Sequence, residues 1–131
     1  MMNDKIGSVE DLIPGNRFAV GNDVVFMPDF ALSCTDLFKS KTYTENETAY
    51  CRQFTDSLLR YASTWAAKEA VYKALKQLDK RPIGWKKIEI LREKIAGRPH
   101  VVIHREDVNF NISLSISHDG DYVWAVALIE I

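Results

Sequence analysis

Phe54 to Leu78 reads FTDSLLRYASTWAAKEAVYKALKQL, and its pattern decides the fold. Strong helix formers accumulate along it, and Leu58, Tyr61, Ala62, Trp65, Ala66, Ala70, Leu75 and Leu78 recur at helical spacing. A single long helix is the expectation, and the chain on either side of it has a different character. Upstream, Arg17 to Met27 (RFAVGNDVVFM) is rich in β-branched and aromatic residues, with Gly21-Asn22-Asp23 interrupting it, so a strand carrying Asp23 at or near a bend is expected. Pro28 stops that strand. Between them, short helical or irregular pieces lead to Thr44-Glu45-Asn46-Glu47, whose Thr-x-x-Glu spacing is that of a helix-opening capping box. Downstream, Lys87–Leu91 and Arg98–His104 flank a turn holding Gly97 and read as one β-hairpin. Asn111–His118 and Tyr122–Ile131, joined by Asp119-Gly120-Asp121, read as a second. The fold class is therefore α+β, a long central helix packed on an antiparallel sheet. Residues 1–16 read as an N-terminal extension and 17–131 as a single domain.

The 131 residues fit one modest core, and 17 basic against 18 acidic side chains leave no polybasic field for nucleic acid. The longest apolar run, Tyr122 to Ile129, falls well short of the roughly 20 residues a membrane-spanning helix needs. The first residues carry no apolar signal segment. Cys34 and Cys51 stand in unrelated contexts without metal-knuckle spacing, which suits a reduced, cytoplasmic protein. Trp65, Trp85 and Trp124 are read as core or interface aromatics.

Three local signals bear on chemistry. On the long helix, Glu69 and Lys73 lie one turn apart on a shared face, where a carboxylate and an ammonium can meet one ligand. By itself that spacing is an ordinary surface ion pair. Asp23 sits among β-branched neighbours, where a strand would rather hold Val or Thr; a turn or cap aspartate is the plain alternative. Ser115-Ile116-Ser117-His118 ends a strand at a turn, where a histidine is commonly just a turn residue.

Taken together and in order, these pieces resemble a family. The early Gly-x-Asp-Val-Val stretch, Tyr43-Thr44-Glu45-Asn46-Glu47 followed by Tyr50-Cys51, the Trp65-x-x-Lys68-Glu69-Ala70-x-x-Lys73 helix, Gly97-Arg98-Pro99 and the closing Ser-Ile-Ser-His hairpin are similar to those of the phosphopantetheinyl transferases of the holo-acyl-carrier-protein synthase type. The resemblance spans roughly residues 17 to 131. It implies transfer of the 4′-phosphopantetheine arm of coenzyme A to a serine of an apo acyl carrier protein, with release of adenosine bisphosphate. It also implies a homotrimer whose active sites lie between neighbouring chains. Asp23 and Glu69 match the Mg²⁺ ligands, Lys73 and Lys68 would offer ammonium groups to the pyrophosphate, and His118 would contact coenzyme A. The general base stays open between Glu69 acting through a water and a base brought by the carrier.

The match has gaps. The arginine that the family carries after the aspartate falls at Asp29, and a basic residue ahead of the Lys-Glu pair falls at Thr64. The glycine-rich turn after the helix is replaced by Lys76-Gln77-Leu78-Asp79-Lys80-Arg81-Pro82. Two functions remain in view: an active transferase, with a dedicated, less acidic carrier implied by Asp29 and Asp36, and a non-catalytic homologue that binds a carrier or another enzyme. Retention of Asp23, Glu69 and Lys73 favours the first.

Overall fold

The structure is a computed structural model and describes residues 18–92 and 98–131; the expected N-terminal extension over 1–16 and the turn glycine Gly97 lie outside the described residues. Strand β1 (Phe18–Phe26) leads into helices α1 (Met27–Ser33), α2 (Asp36–Thr42) and α3 (Glu45–Arg52), and then into the long helix α4 (Ser57–Leu75). A short 3₁₀ turn (Trp85–Lys87) precedes strands β2 (Ile88–Leu91) and β3 (His100–Ile103), followed by β4 (Asn111–Asp119) and β5 (Tyr122–Glu130). The antiparallel sheet has the order β1-β5-β4, and β2 and β3 form a separate antiparallel pair.

Strict alternation organises the larger sheet. Ala19, Val25, Val123, Ala125, Ala127 and Ile129 point inward and are buried with Ala66, Ala70, Val71 and Ala74 of α4. Small residues on both sides let helix and strand approach closely, and Gly21 marks the limit: a Cβ there would lie 2.0 Å from the Ala70 carbonyl oxygen and 2.6 Å from the Ala74 nitrogen. This corrects the expectation of a bend at Asp23. β1 runs unbroken, with Asp23 paired opposite Ala125, because glycine serves the close approach of a helix and not a turn in the strand. The turn chemistry does appear at Gly120, whose φ of +57° closes the β4–β5 hairpin.

The capping box is present: the Thr44 hydroxyl accepts from the Glu47 backbone N–H, and Glu47 accepts from the Thr44 N–H at 2.9 Å. Pro28 sits in the first turn of α1, where a missing N–H costs nothing. Trp65 meets Trp85 edge-on at 4.7 Å between ring centres, and Phe38 at 5.1 Å, in an aromatic cluster that ties α2 to α4. Both cysteines are free thiols, Cys51 fully buried. Among the described residues no helix is long and apolar enough to cross a membrane.

Candidate active site: a carboxylate pair under a lysine

Asp23 is on the inward face of β1 and Glu69 is on the flank of α4, one position before Ala70, the residue against which Gly21 packs. That close approach is what brings the two acids together. Lys73, one turn further along α4, donates to Asp23 Oδ1 at 3.0 Å and to the Asn22 carbonyl oxygen at 3.0 Å. Gln77, another turn on, donates to the Val20 carbonyl at 2.7 Å, so the helix is stitched to the outer edge of β1 along its C-terminal half.

The two carboxylates oppose one another's ionisation. Glu69 is pushed up to about 7, first by burial and then by the Asp23 carboxylate beside it, with Lys73 opposing. Asp23 Oδ2 is buried and has no hydrogen-bond partner. A buried carboxylate oxygen left unpaired costs free energy unless something binds it. Two neighbouring hard carboxylates fit Mg²⁺, which takes one or two protein carboxylates and completes its octahedron with phosphate oxygens and water. No group of three or more acidic, His or Cys side chains able to cage a metal occurs among the described residues, so the ion would have to share its coordination with a ligand.

A cleft of about 300 Å³ runs from Glu69 past Trp65, Phe38 and Phe30 to Asp29 on α1. Glu69 is therefore reached from the side where Asp29 stands, while Lys73, with its side chain half exposed, lies against Asp23.

The remaining sequence-derived candidates fall elsewhere. Lys68 is not a ligand-facing cation: its side chain is 0% exposed, and its ammonium donates to both Glu47 oxygens, at 2.8 and 3.0 Å, and to the Ile88 carbonyl. It points to β2, on the side of α4 away from the carboxylate pair, because position 68 is turned roughly 200° from position 70 in a helix of 3.6 residues per turn. Burial presses its pKa down while Glu47 holds it up. His118, on β4, is separated from β1 by β5 and does not join Asp23 and Glu69 within one chain. Instead it lines a second cleft with Arg60 and Arg92.

The internal network around Lys68 was invisible as a unit in the sequence. Glu47 also accepts from the Ile90 N–H at 2.8 Å, and Glu89 accepts from Thr44 and Asn46 and meets His104 Nε2 at 2.9 Å. Only the capping box hinted that Glu47 had a structural duty.

Comparison with known proteins bears on the family. Residues 19–127 match the family model described as the 4′-phosphopantetheinyl transferase superfamily. A holo-[acyl-carrier-protein] synthase of Aquifex aeolicus is 43% identical over 72% of this chain and 81% of its own length. One of Chlorobaculum parvum is 37% identical over 71% of this chain and 79% of its own. Among solved structures, an ACPS–CoA complex of Chronobacterium ammoniagenes superposes with a TM-score of 0.73 at 29% identity, over 86% of this chain and 96% of that one.

Proposed function

Since the chain belongs to the 4′-phosphopantetheinyl transferase superfamily, we infer that it is a holo-[acyl-carrier-protein] synthase, moving the 4′-phosphopantetheine arm of coenzyme A onto a serine of an apo acyl carrier protein. The serine oxygen bonds to the phosphorus that carries the pantetheine arm. The bond from that phosphorus to the bridging oxygen breaks, and adenosine 3′,5′-bisphosphate leaves with the electron pair. The observation that carries this reading at the level of atoms is the Asp23–Glu69 pair under Lys73, with one buried oxygen unpartnered.

Each residue has a part that its position supports. Asp23 and Glu69 would hold Mg²⁺, which when bound supplies charge neutralisation for the diphosphate. Lys73, free to swing because its side chain is half exposed, exchanges its contact with Asp23 for a diphosphate oxygen. Asp23, fixed at mid-strand and buried, orients the group it binds with little loss of side-chain freedom on binding. The serine proton goes to Glu69 through a water or to a base on the carrier. Release of adenosine 3′,5′-bisphosphate, followed while enzyme, coenzyme A, Mg²⁺ and an apo carrier are incubated together, tests the reading; release that does not depend on the carrier's serine contradicts it.

The active form is a homotrimer or similar small ring. On the outer face of the sheet Phe18, Val20, Val24 and Phe26 of β1 and Tyr122, Trp124, Val126 and Leu128 of β5 are exposed side by side, and Val24 reaches 57%. A patch this size on one face marks an interaction surface. A ring would let the β4 edge of one copy, with His118, complete the nucleotide site of the next.

The carrier is a dedicated one, less acidic than a general fatty-acid carrier and suited to a specialised polyketide or lipid pathway. Asp29 lines the same cleft as Glu69, so an acidic recognition helix entering there meets like charge. The free thiols of Cys34 and Cys51 suit a cytoplasmic setting.

A further inference from the structure

Trp65 and Glu69 stand four positions apart on α4 and line the same cleft, together with Phe38 and Phe30. Side chains of a helix lean toward its N-terminus, so the Glu69 carboxyl reaches back over the turn that carries Trp65. The indole stands within hydrogen-bonding reach of that carboxyl. Tryptophan has one donor, the indole N–H, and no acceptor, so the direction of the bond is fixed: Nε1 donates and the carboxylate accepts. Burial and then the Asp23 carboxylate push Glu69 up, while Lys73 and the Trp65 bond oppose them.

The ring that offers this N–H is held by its neighbours. Its centre lies 5.1 Å from that of Phe38 at 82° and 4.7 Å from that of Trp85 at 66°. Phe38 rests in turn on Phe30 at 6.0 Å and on Tyr43 at 5.9 Å, both of them buried. Tyr43 is anchored by its hydroxyl, which donates to the Tyr61 carbonyl at 2.8 Å. On the other side Trp85 leans on Tyr72 at 5.0 Å. Tilted and edge-on contacts of this kind hold a ring in one orientation, so the indole N–H points in a fixed direction within the cleft. A glutamate left to itself has no such constraint.

Each acid of the pair thus has its own donor: Lys73 holds Asp23 at 3.0 Å, and Trp65 faces Glu69. The two donors differ in charge. A second ammonium at Glu69 would cancel the negative charge that an arriving cation needs, whereas a neutral N–H directs the carboxylate and leaves its charge in place. Partners behind a metal-binding carboxylate commonly act in this way.

We propose that Trp65 is a positioning residue of the site: its indole N–H fixes the Glu69 carboxylate in the direction of Asp23. That this readies the pair for Mg²⁺ rests on the transferase reading; the contact itself does not.

The three tryptophans give three indole N–H signals in a ¹H–¹⁵N spectrum of the full chain, and Trp65→Phe, which keeps a ring against Phe38 and Trp85, identifies one of them by its loss. At pH 8, above the Glu69 titration at about 7, Glu69→Gln should move that signal upfield by more than it moves those of Trp85 and Trp124, because a neutral acceptor replaces a charged one. A Trp65 signal that stays in place overturns the proposal. In turnover, Trp65→Phe should raise the Mg²⁺ concentration for half-maximal transfer about tenfold, the low end of what losing a partner behind a metal ligand costs. Trp85→Phe makes the same chemical change on the other side of the same ring contact and should leave that requirement where it is, even if the two variants lose equal Tm. A Mg²⁺ requirement that rises equally in both variants, or in neither, overturns the positioning role. A protein that modifies no carrier, while its Trp65 signal answers to Glu69→Gln, contradicts the transferase reading and leaves the Trp65–Glu69 contact standing.

Discussion

Lys73 holds Asp23 Oδ1 at 3.0 Å and leaves Asp23 Oδ2 buried with no partner. One oxygen of the carboxylate is thus balanced by protein, and the other is the one proposed to meet Mg²⁺. Asp23→Ala and Glu69→Ala should each lower kcat/KM at saturating Mg²⁺ by at least about 100-fold, which is about 2.7 kcal/mol of transition-state stabilisation. Their far-UV spectra should match the parent. Near-normal turnover by either variant would mean the metal is held elsewhere.

Glu69 titrates at about 7 in the metal-free protein, above its ordinary value near 4.5, because it is buried beside Asp23. A raised carboxyl contributes stability that is full below about 4.5 and is lost as pH rises through about 7. Mg²⁺ needs both carboxylates charged, so it should raise Tm more at pH 8 than at pH 5.5. Asp23→Asn should abolish the difference. An equal Tm shift at both pH values would contradict the coupling of the pair.

Lys68 and Glu47 form a pair with both side chains 0% exposed. Lys68→Ala strands a buried carboxylate and should cost about 3–5 kcal/mol in urea unfolding. Lys73→Ala, at a half-exposed side chain, should cost less stability than Lys68→Ala and lower activity by more than that loss explains. If Lys68→Ala were stable and merely raised the KM for coenzyme A, its role would be that of a ligand contact after all.

Gly21→Ala brings a methyl group to 2.0 Å from the Ala70 carbonyl. The helix must move, at a cost of about 1–3 kcal/mol. A fall in Tm of roughly 4–12 °C is expected. Because the same contact sets the spacing of Asp23 and Glu69, activity should fall by more than stability explains. An unchanged Tm would mean that the helix yields freely there.

Trp124→Glu, at the centre of the exposed apolar face, should dissociate the assembly into folded monomers by sedimentation and reduce transfer. A monomeric parent enzyme with full activity would contradict the ring.

For the carrier, Asp29→Arg should raise kcat/KM with a strongly acidic fatty-acid carrier. No gain, with efficient modification of that carrier by the parent enzyme, would make Asp29 incidental to recognition.

The fold was legible where periodicity is local. The α4 pattern, the capping box at Thr44 and the Asp119-Gly120-Asp121 turn each depend on neighbours within a few residues, and each formed as expected. Legibility failed where a residue answers to something distant. Gly21 looked like a bend because its partner, α4, lies some fifty positions on. Lys68 was matched to a pyrophosphate-binding cation, and its burial was not legible because Glu47, which neutralises it, is 21 residues away. Arg92 was passed over altogether, since an arginine after a short strand carries no signal until the fold stacks it on Tyr50 and bonds it to Thr64.

The most direct measurement is the intact mass of an apo carrier protein after incubation with this enzyme, coenzyme A and Mg²⁺, run beside Asp23→Ala. The account predicts that the carrier gains one phosphopantetheine group with the parent enzyme and none with the variant, and that a carrier whose acceptor serine is replaced by alanine gains nothing. An unmodified carrier under conditions where coenzyme A is bound, across both general and specialised carriers, would contradict it.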